Sequence, residues 1–269
     1  MIQRVFVAVL VCLLAAGTVA YGSPLVTLTD PFYPNSTVNI DAGAPATLQG
    51  WTVELFNQMA QSGYWFAIGN SAVAVPVSSI GAASITQFTE SDATLVYSGD
   101  LFDIQIDYLL WGNPVGSGMS DLSQTVMITN KSGTALDFHL FEFVNMDLNG
   151  SAANEIAMLT NSSTITQDEG TTQGQLSVNT IPAHWQIGDA TSLLNSINTV
   201  SGLNLADGQS PYVGDAAFAF QWNMSIAGNG SQSISQDMLM MGAQVPEPSS
   251  VTLFVSSLTL LPLVRRRRK

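Results

Sequence analysis

Two histidines, twenty carboxylates, five tryptophans and one Asn/Asp/Gly-rich hexapeptide are the side chains of this 269-residue chain with chemistry to offer. His139 falls in a predicted strand and His184 abuts Trp185, with no Gly-x-Ser-x-Gly elbow and no His-Glu-x-x-His around either. A nucleophile or zinc site needs such a context to hold base and metal in place, so both histidines read as structural. Asp103, Asp107 and Glu142 are carboxylates on predicted strands, the group type that glycosidic cleavage requires in pairs. Asp103 and Asp107 share one outward strand face, and Glu142 reads as a rim position that nothing in the sequence pairs with them. Trp111, beside a Gly/Pro loop, is the tryptophan expected to be exposed and able to stack on a sugar. Trp51, Trp65 and Trp222 sit in apolar alternation and are expected in the core. Asn145-Met146-Asp147-Leu148-Asn149-Gly150 puts oxygen ligands at positions 1, 3 and 5 and glycine at 6, the start of a calcium loop. Asn145, Asp147 and Asn149 are therefore the candidate calcium ligands. The departures are Asn at position 1 and Ile156 at position 12, and the same residues also suit a plain turn. No other cofactor is expected.

The charge distribution narrows the partners. The formal net charge is −13, from seven bases and twenty acids. Arg4 and the five residues Arg265 to Lys269 lie at the two ends, which leaves Lys131 as the one base between them. Nineteen of the acids lie between Asp30 and Asp237, so the body carries 19 − 1 = 18 net negative charges. Such a field repels phosphate backbones and excludes nucleic acid as a partner. The one cysteine, Cys12, is in the N-terminal leader, so the body has neither a disulfide nor a thiolate metal site.

The elements that must position these groups are short strands. Residues 1–20 read as a signal peptide: Arg4, an apolar run from Val5 to Ala16, and small residues leading to cleavage at Ala20. Strands are expected at Leu25–Thr29, across the alternating Trp51, Val53 and Leu55, at Tyr64–Ile68, near Ile85–Phe88, at 94–98, 102–111, 125–129 and 135–146. More follow at 156–159, 163–166, 184–187, 216–224 and 234–240. Residues 30–46 read as an extended lead-in and 167–175 as a polar turn. Asn130-Lys131-Ser132-Gly133 reads as a hairpin-type turn. Asp189 reads as the N-cap of one helix of about 11 residues, with Leu193, Leu194, Ile197 and Val200 at helical spacing and Gly202 stopping it. The expected fold class is all-β: one antiparallel β-sandwich over 23–244, jelly-roll or Ig-like, with one short helix. A signal helix would precede it and a C-terminal hydrophobic helix would follow it.

The last 25 residues carry the most specific pattern. Val245-Pro246-Glu247-Pro248 precedes an apolar run, Val251–Val264, and then Arg265-Arg266-Arg267-Arg268-Lys269. As a helix the 14-residue run spans about 21 Å, short of a hydrocarbon core of about 30 Å. The basic terminus would hold that end in the cytoplasm. This arrangement resembles the PEP-CTERM sorting signal of Gram-negative bacteria. The resemblance implies an exosortase-type transpeptidase as partner, a transient stay at the inner membrane, and delivery to the envelope, surface or extracellular matrix. It also implies a host that makes exopolysaccharide, a possible further partner, and says nothing of the body. The body is expected to be a non-catalytic, structural or adhesive domain. The alternatives are a carbohydrate- or calcium-binding module and a glycan-acting hydrolase.

Overall fold

The computed structural model describes residues 25–45 and 47–242. Ala20 with the signal peptide, Val245–Pro248, the apolar run and the basic stop lie outside the described residues. Among the described residues no helix is long and apolar enough to cross a membrane.

Among the described residues two sheets of nine strands, each built from antiparallel pairs, face each other. The first is backed by the helix. It runs β1 (Leu25–Thr29), β2 (Ser36–Asp41), β3 (Leu48–Val53), β5 (Gln61–Ile68), β11 (Leu136–Asn145), β17 (Ala216–Ile226) and β15 (His184–Asp189). The two-residue strands β4 (Phe56–Asn57) and β6 (Val75–Pro76) sit on β3 and β5. The second sheet is open on its outer side. Its order is β16 (Tyr212–Gly214), β12 (Glu155–Asn161), β13 (Thr164–Glu169), β14 (Thr172–Val178), β18 (Ser231–Met241), β10 (Met119–Asn130), β9 (Phe102–Trp111), β8 (Asp92–Ser98) and β7 (Ser84–Thr86). The single antiparallel β-sandwich with one helix is thus the observed fold.

Alternation decides which residues fill the space between the sheets. Phe102, Ile104, Ile106, Tyr108 and Leu110 of β9 point in, while Asp103, Gln105, Asp107 and Trp111 point out. They meet Trp51, Tyr64, Phe138, Phe218 and Phe220 from the helix-backed sheet in one continuous core. On β17 the inward Phe218, Phe220 and Trp222 are large and the outward Ala217 and Ala219 are small. That small outer row lets α1 (Ala190–Thr199) approach, burying Leu193 and Ile197 against Trp65, Phe141 and Phe143. Burial of two such side chains is worth roughly 2 kcal/mol each. Asp189 caps the helix by accepting from the Ser192 N–H at 2.8 Å.

Five sequence expectations change. Residues 30–46 contain strand β2, and 167–175 contain the end of β13 and most of β14. Both carry Ser, Thr or Gly at buried positions, where polar composition hides the period of two. The residues after Asn130 do not form a hairpin, because β10 and β11 belong to different sheets. They form a corner, and Asn130 holds it by donating to the carbonyls of Thr134 at 2.8 Å and Ile226 at 3.0 Å. Leu55 leaves its strand and is exposed in a tight turn after Glu54, at φ 56°. Finally, Glu142 is not a rim residue. It is 0 % exposed, inside the sandwich.

Candidate functional site

The outer face of the open sheet is a ladder of polar side chains in register. On β10 the outward residues are Asp121, Ser123 and Thr125. Their partners on β9 are Trp111, Leu109 and Asp107, and on β18 they are Leu239, Asp237 and Ser235. Directly opposed residues on one face lie about 4.5–5.5 Å apart at Cβ. Asp121 therefore stands beside Trp111 and diagonal to Asp237. Ser123 bridges the row by donating to Asp237 Oδ1 at 2.6 Å. Further along, Asp107 accepts from Thr94 Oγ1 at 2.6 Å and from Gln105 Nε2 at 3.0 Å.

Two shallow depressions flank β10 and share Ser123, Gln124 and Thr125 as a common ridge. One, of about 350 Å³, runs past Asp92, Thr94, Asp107 and Leu109 to Phe88, whose ring is 76 % exposed at the rim. The other, of about 460 Å³, is bounded by Ser177, Asn179, Ser235 and Asp237. Together they form an open groove across five strands. Trp111, 55 % exposed, and its partner Asp121 lie two residues along the strands from Leu109 and Ser123, beside this groove.

Partial burial, reinforced by the charge of Asp237, pushes the Asp121 carboxyl up to about 6. Asp121 can therefore give or take a proton near neutral pH, beside a second carboxylate.

Beyond Trp111 the surface turns apolar. Phe32, Tyr33, Leu55, Phe56 and Val115 are exposed on three neighbouring loops. Buried polar groups tie these loops together. Asp30 accepts from the N–H groups of Phe32 at 2.8 Å, Tyr33 at 3.1 Å and Gly112 at 3.0 Å. Burial pushes its carboxyl up, but the three donors together outweigh that and hold it below the ordinary carboxylate range. Glu54 accepts from Gly116, and Asn35 binds Glu54, Asn113 and the Met119 carbonyl. The aromatic side chains are thus held on an ordered frame.

The residues singled out in the sequence are scattered. Asp103 is paired with Lys131 at 2.8 Å, at the far end of β9 from Trp111. Asp107 lines the groove. Glu142 lies between the sheets, on the helix-backed one, in a buried network. Gln236 Nε2 donates to its Oε1, Tyr64 accepts from Gln236 at 2.8 Å, and Tyr64 donates to Gln124 at 3.0 Å. Burial pushes Glu142 up to about 8, against the smaller opposing effect of the Gln236 and Tyr64 hydrogen bonds. The three acids are not assembled into one site. Asn145 ends β11, and Asp147 precedes a turn at Leu148–Gly150. The Asn149 carboxamide is occupied by Thr172 at 2.7 Å and Glu169 at 3.2 Å. His184 ties β15 to Asp207 at 2.8 Å. His139 donates from Nδ1 to Asn223 Oδ1 at 2.7 Å, beside a cavity of about 210 Å³ on the helix-backed face. That cavity has room for a small molecule and none for a chain.

Asp121, Ser123 and Asp237 do not stand out in the sequence. Ser123 and Asp237 are 114 residues apart, and only strand register brings them together. The available signal is the run of outward polar residues on 119–130 and 231–241.

No family model matches the chain, and no curated protein matches it. Solved structures do share its fold. A bacterial glucoamylase complexed with acarbose superposes with TM-score 0.60 at 9 % identity, over 87 % of this chain and 34 % of that one. This chain therefore spans about a third of that enzyme's length. A putative aldose 1-epimerase from Escherichia coli K12 gives TM-score 0.59 at 8 % identity, over 82 % of this chain and 100 % of that one. The GalM/aldose epimerase homologue from C. elegans gives 0.51 at 7 % identity, over 83 % and 100 %. These likenesses overturn the expectation of a non-catalytic domain, since the same sandwich is carried by proteins named as enzymes. At such identities the fold is what is shared: an aldose epimerase-like antiparallel β-sandwich.

Proposed function

We propose that the body is a carbohydrate-binding domain that holds a glycan in the groove on the open sheet. The observation that carries this reading is the register-matched set Trp111, Asp121, Ser123 and Asp237. A pyranose ring offers an apolar face to an aromatic and hydroxyl groups to carboxylates and serine hydroxyls, and this set supplies both along one side of a groove. The groove is open along its length, so it suits a chain better than a closed monosaccharide pocket does. The names of the structures sharing the fold, a glucoamylase and aldose epimerases, agree with a sugar as the ligand. A second reading, catalysis on a bound sugar, is favoured by Asp121 alone. Its carboxyl, raised to about 6 beside Asp237, is suited to proton transfer.

In this proposal the two ends serve delivery. The signal peptide exports the body, and Val245-Pro246-Glu247-Pro248 with its apolar run and basic stop presents it to an exosortase-type transpeptidase at the inner membrane. The body then meets exopolysaccharide at the envelope, surface or matrix.

The test is glycan-array binding of the full chain, followed by calorimetry on the best ligand. Trp111→Ala and Asp121→Asn should each weaken binding by roughly tenfold or more, with unchanged melting temperature. Binding should also weaken as pH falls through about 6, because a protonated Asp121 loses acceptor capacity. Unaltered affinity in both variants would refute the groove as the site. Following anomer ratio and reducing ends in the same incubations tests the catalytic reading.

A further inference from the structure

The outer face of the helix-backed sheet, at the end of β11 and the start of β17, holds a second group of oxygen ligands. Asn145 is in register with Ala217. Asp147 follows Asn145 by two residues and Asp215 precedes Ala217 by two, so the period of two carries both toward the face that Asn145 shares, just past the paired strand ends. Asn145 is 9 % exposed, and its Oδ1 is buried without a hydrogen-bond donor. The Oδ1 atoms of Asp147 and Asp215 are likewise buried and without a donor. A buried carboxylate oxygen left this way costs several kcal/mol unless something else compensates it.

Neighbouring charge makes matters worse. Glu155 binds both segments, accepting from the Leu148 N–H at 3.0 Å and the Ala216 N–H at 3.2 Å, so both its oxygens are used. Among the described residues the one lysine, Lys131, is paired with Asp103. No side-chain cation among them is left to neutralise the group.

We propose that Asn145, Asp147 and Asp215 bind a divalent cation of the calcium type. Three buried oxygens without donors, one of them a carboxamide, suit a hard ion that completes its shell with water. Among the described residues no three His, Cys, Asp or Glu side chains form a metal cage, so the carboxamide is an essential third ligand. Affinity should fall in the weak, extracellular-module range of about 0.1–1 mM. The set replaces Asn149, whose carboxamide is occupied, with Asp215, which lies 68 residues beyond Asp147 in the chain. The site is on the opposite sheet from the groove and does not depend on glycan binding.

The experiment is calcium titration of the full chain at pH 7, read by thermal melting and by calorimetric stoichiometry, with magnesium as comparison. The expected result is one calcium bound and a melting temperature raised by roughly 5–10 °C at about 10 mM calcium. Asp215→Asn and Asp147→Asn should each abolish the rise, and Asn149→Ala should keep it. Should either Asp variant fail to fold, the wild-type stoichiometry still decides. Absence of bound calcium overturns the proposal. So does a rise that persists in both Asp variants.

Discussion

Replacing Glu142 with glutamine should stabilise this protein at neutral pH, and the gain should depend on pH. The folded carboxyl titrates at about 8, against an ordinary value of 4.5. Between those values the folded state keeps a proton that the unfolded chain has released. The unfolded state then binds fewer protons, so stability falls as pH rises. The full contribution is present below about 4.5 and is lost as pH climbs through about 8. At about 1.4 kcal/mol per pH unit, the interval from 4.5 to 7 comes to roughly 3 kcal/mol. The glutamine side chain would match the volume, keep an acceptor for Gln236 and add a donor, without a proton to lose. Urea denaturation of both proteins at pH 5 and pH 8 measures the effect. The variant should match the wild type within about 1 kcal/mol at pH 5 and exceed it by several-fold that amount at pH 8. Burial also raises Asp121, to about 6, and Glu155, to about 7. Both carboxyls are present in both proteins, so subtraction isolates residue 142. An equal difference at the two pH values would refute the reasoning and mean that the carboxyl is not protonated inside the sandwich.

Two further outcomes follow from packing and from the chain's end. Gly112→Ala would put a Cβ on the carbonyl oxygen of Tyr33, a rigid backbone atom. Gly174→Ala would meet the end of the flexible Met146 side chain instead. Chemical denaturation should show the first change costing more, by about 1–3 kcal/mol; equal costs would mean that the latched loops give way easily. Changing Pro246, Glu247 and Pro248 to alanine in the native host should leave the C-terminal tail attached, which intact-protein mass spectrometry detects. An unchanged mature mass would exclude the sorting role.

The strands that are legible in the sequence are those whose burial is one-sided and whose inward residues are apolar. Phe102–Trp111 and Leu25–Thr29 appear in the structure with the expected bounds, and the Asp189 cap starts the helix as its spacing predicts. Strands β2 and β14 bury Ser36, Thr172 and Gly174, whose types signal turns when read locally. The corner after Asn130 misleads for a similar reason: turn chemistry fixes a reversal but not which sheet the next strand joins. Glu142 shares a face with Phe138 and Leu140, but its charge makes it read as a rim position, and the structure buries it between the sheets. Its partners Tyr64 and Gln236, far away in sequence, are what make that position tolerable. The groove is hidden for a related reason. Trp111 and Asp107 stand out locally, but Asp121 and Asp237 become neighbours only through pairing with β10.

The Lys131–Asp103 pair at the corner between β10 and β11 has a consequence for handling the protein. Between Arg4 and Arg265 it is the one position after which a trypsin-like protease can cut, and the one lysine amine open to acylation. Its side chain is about one-third exposed, and its backbone N–H is bound to the Leu101 carbonyl at 2.8 Å. Digestion should therefore yield either an intact body or two fragments split at that corner. Among the described residues, an amine-reactive dye or surface would attach at this single lysine, on the end of the sandwich opposite Trp111, leaving the groove uncovered.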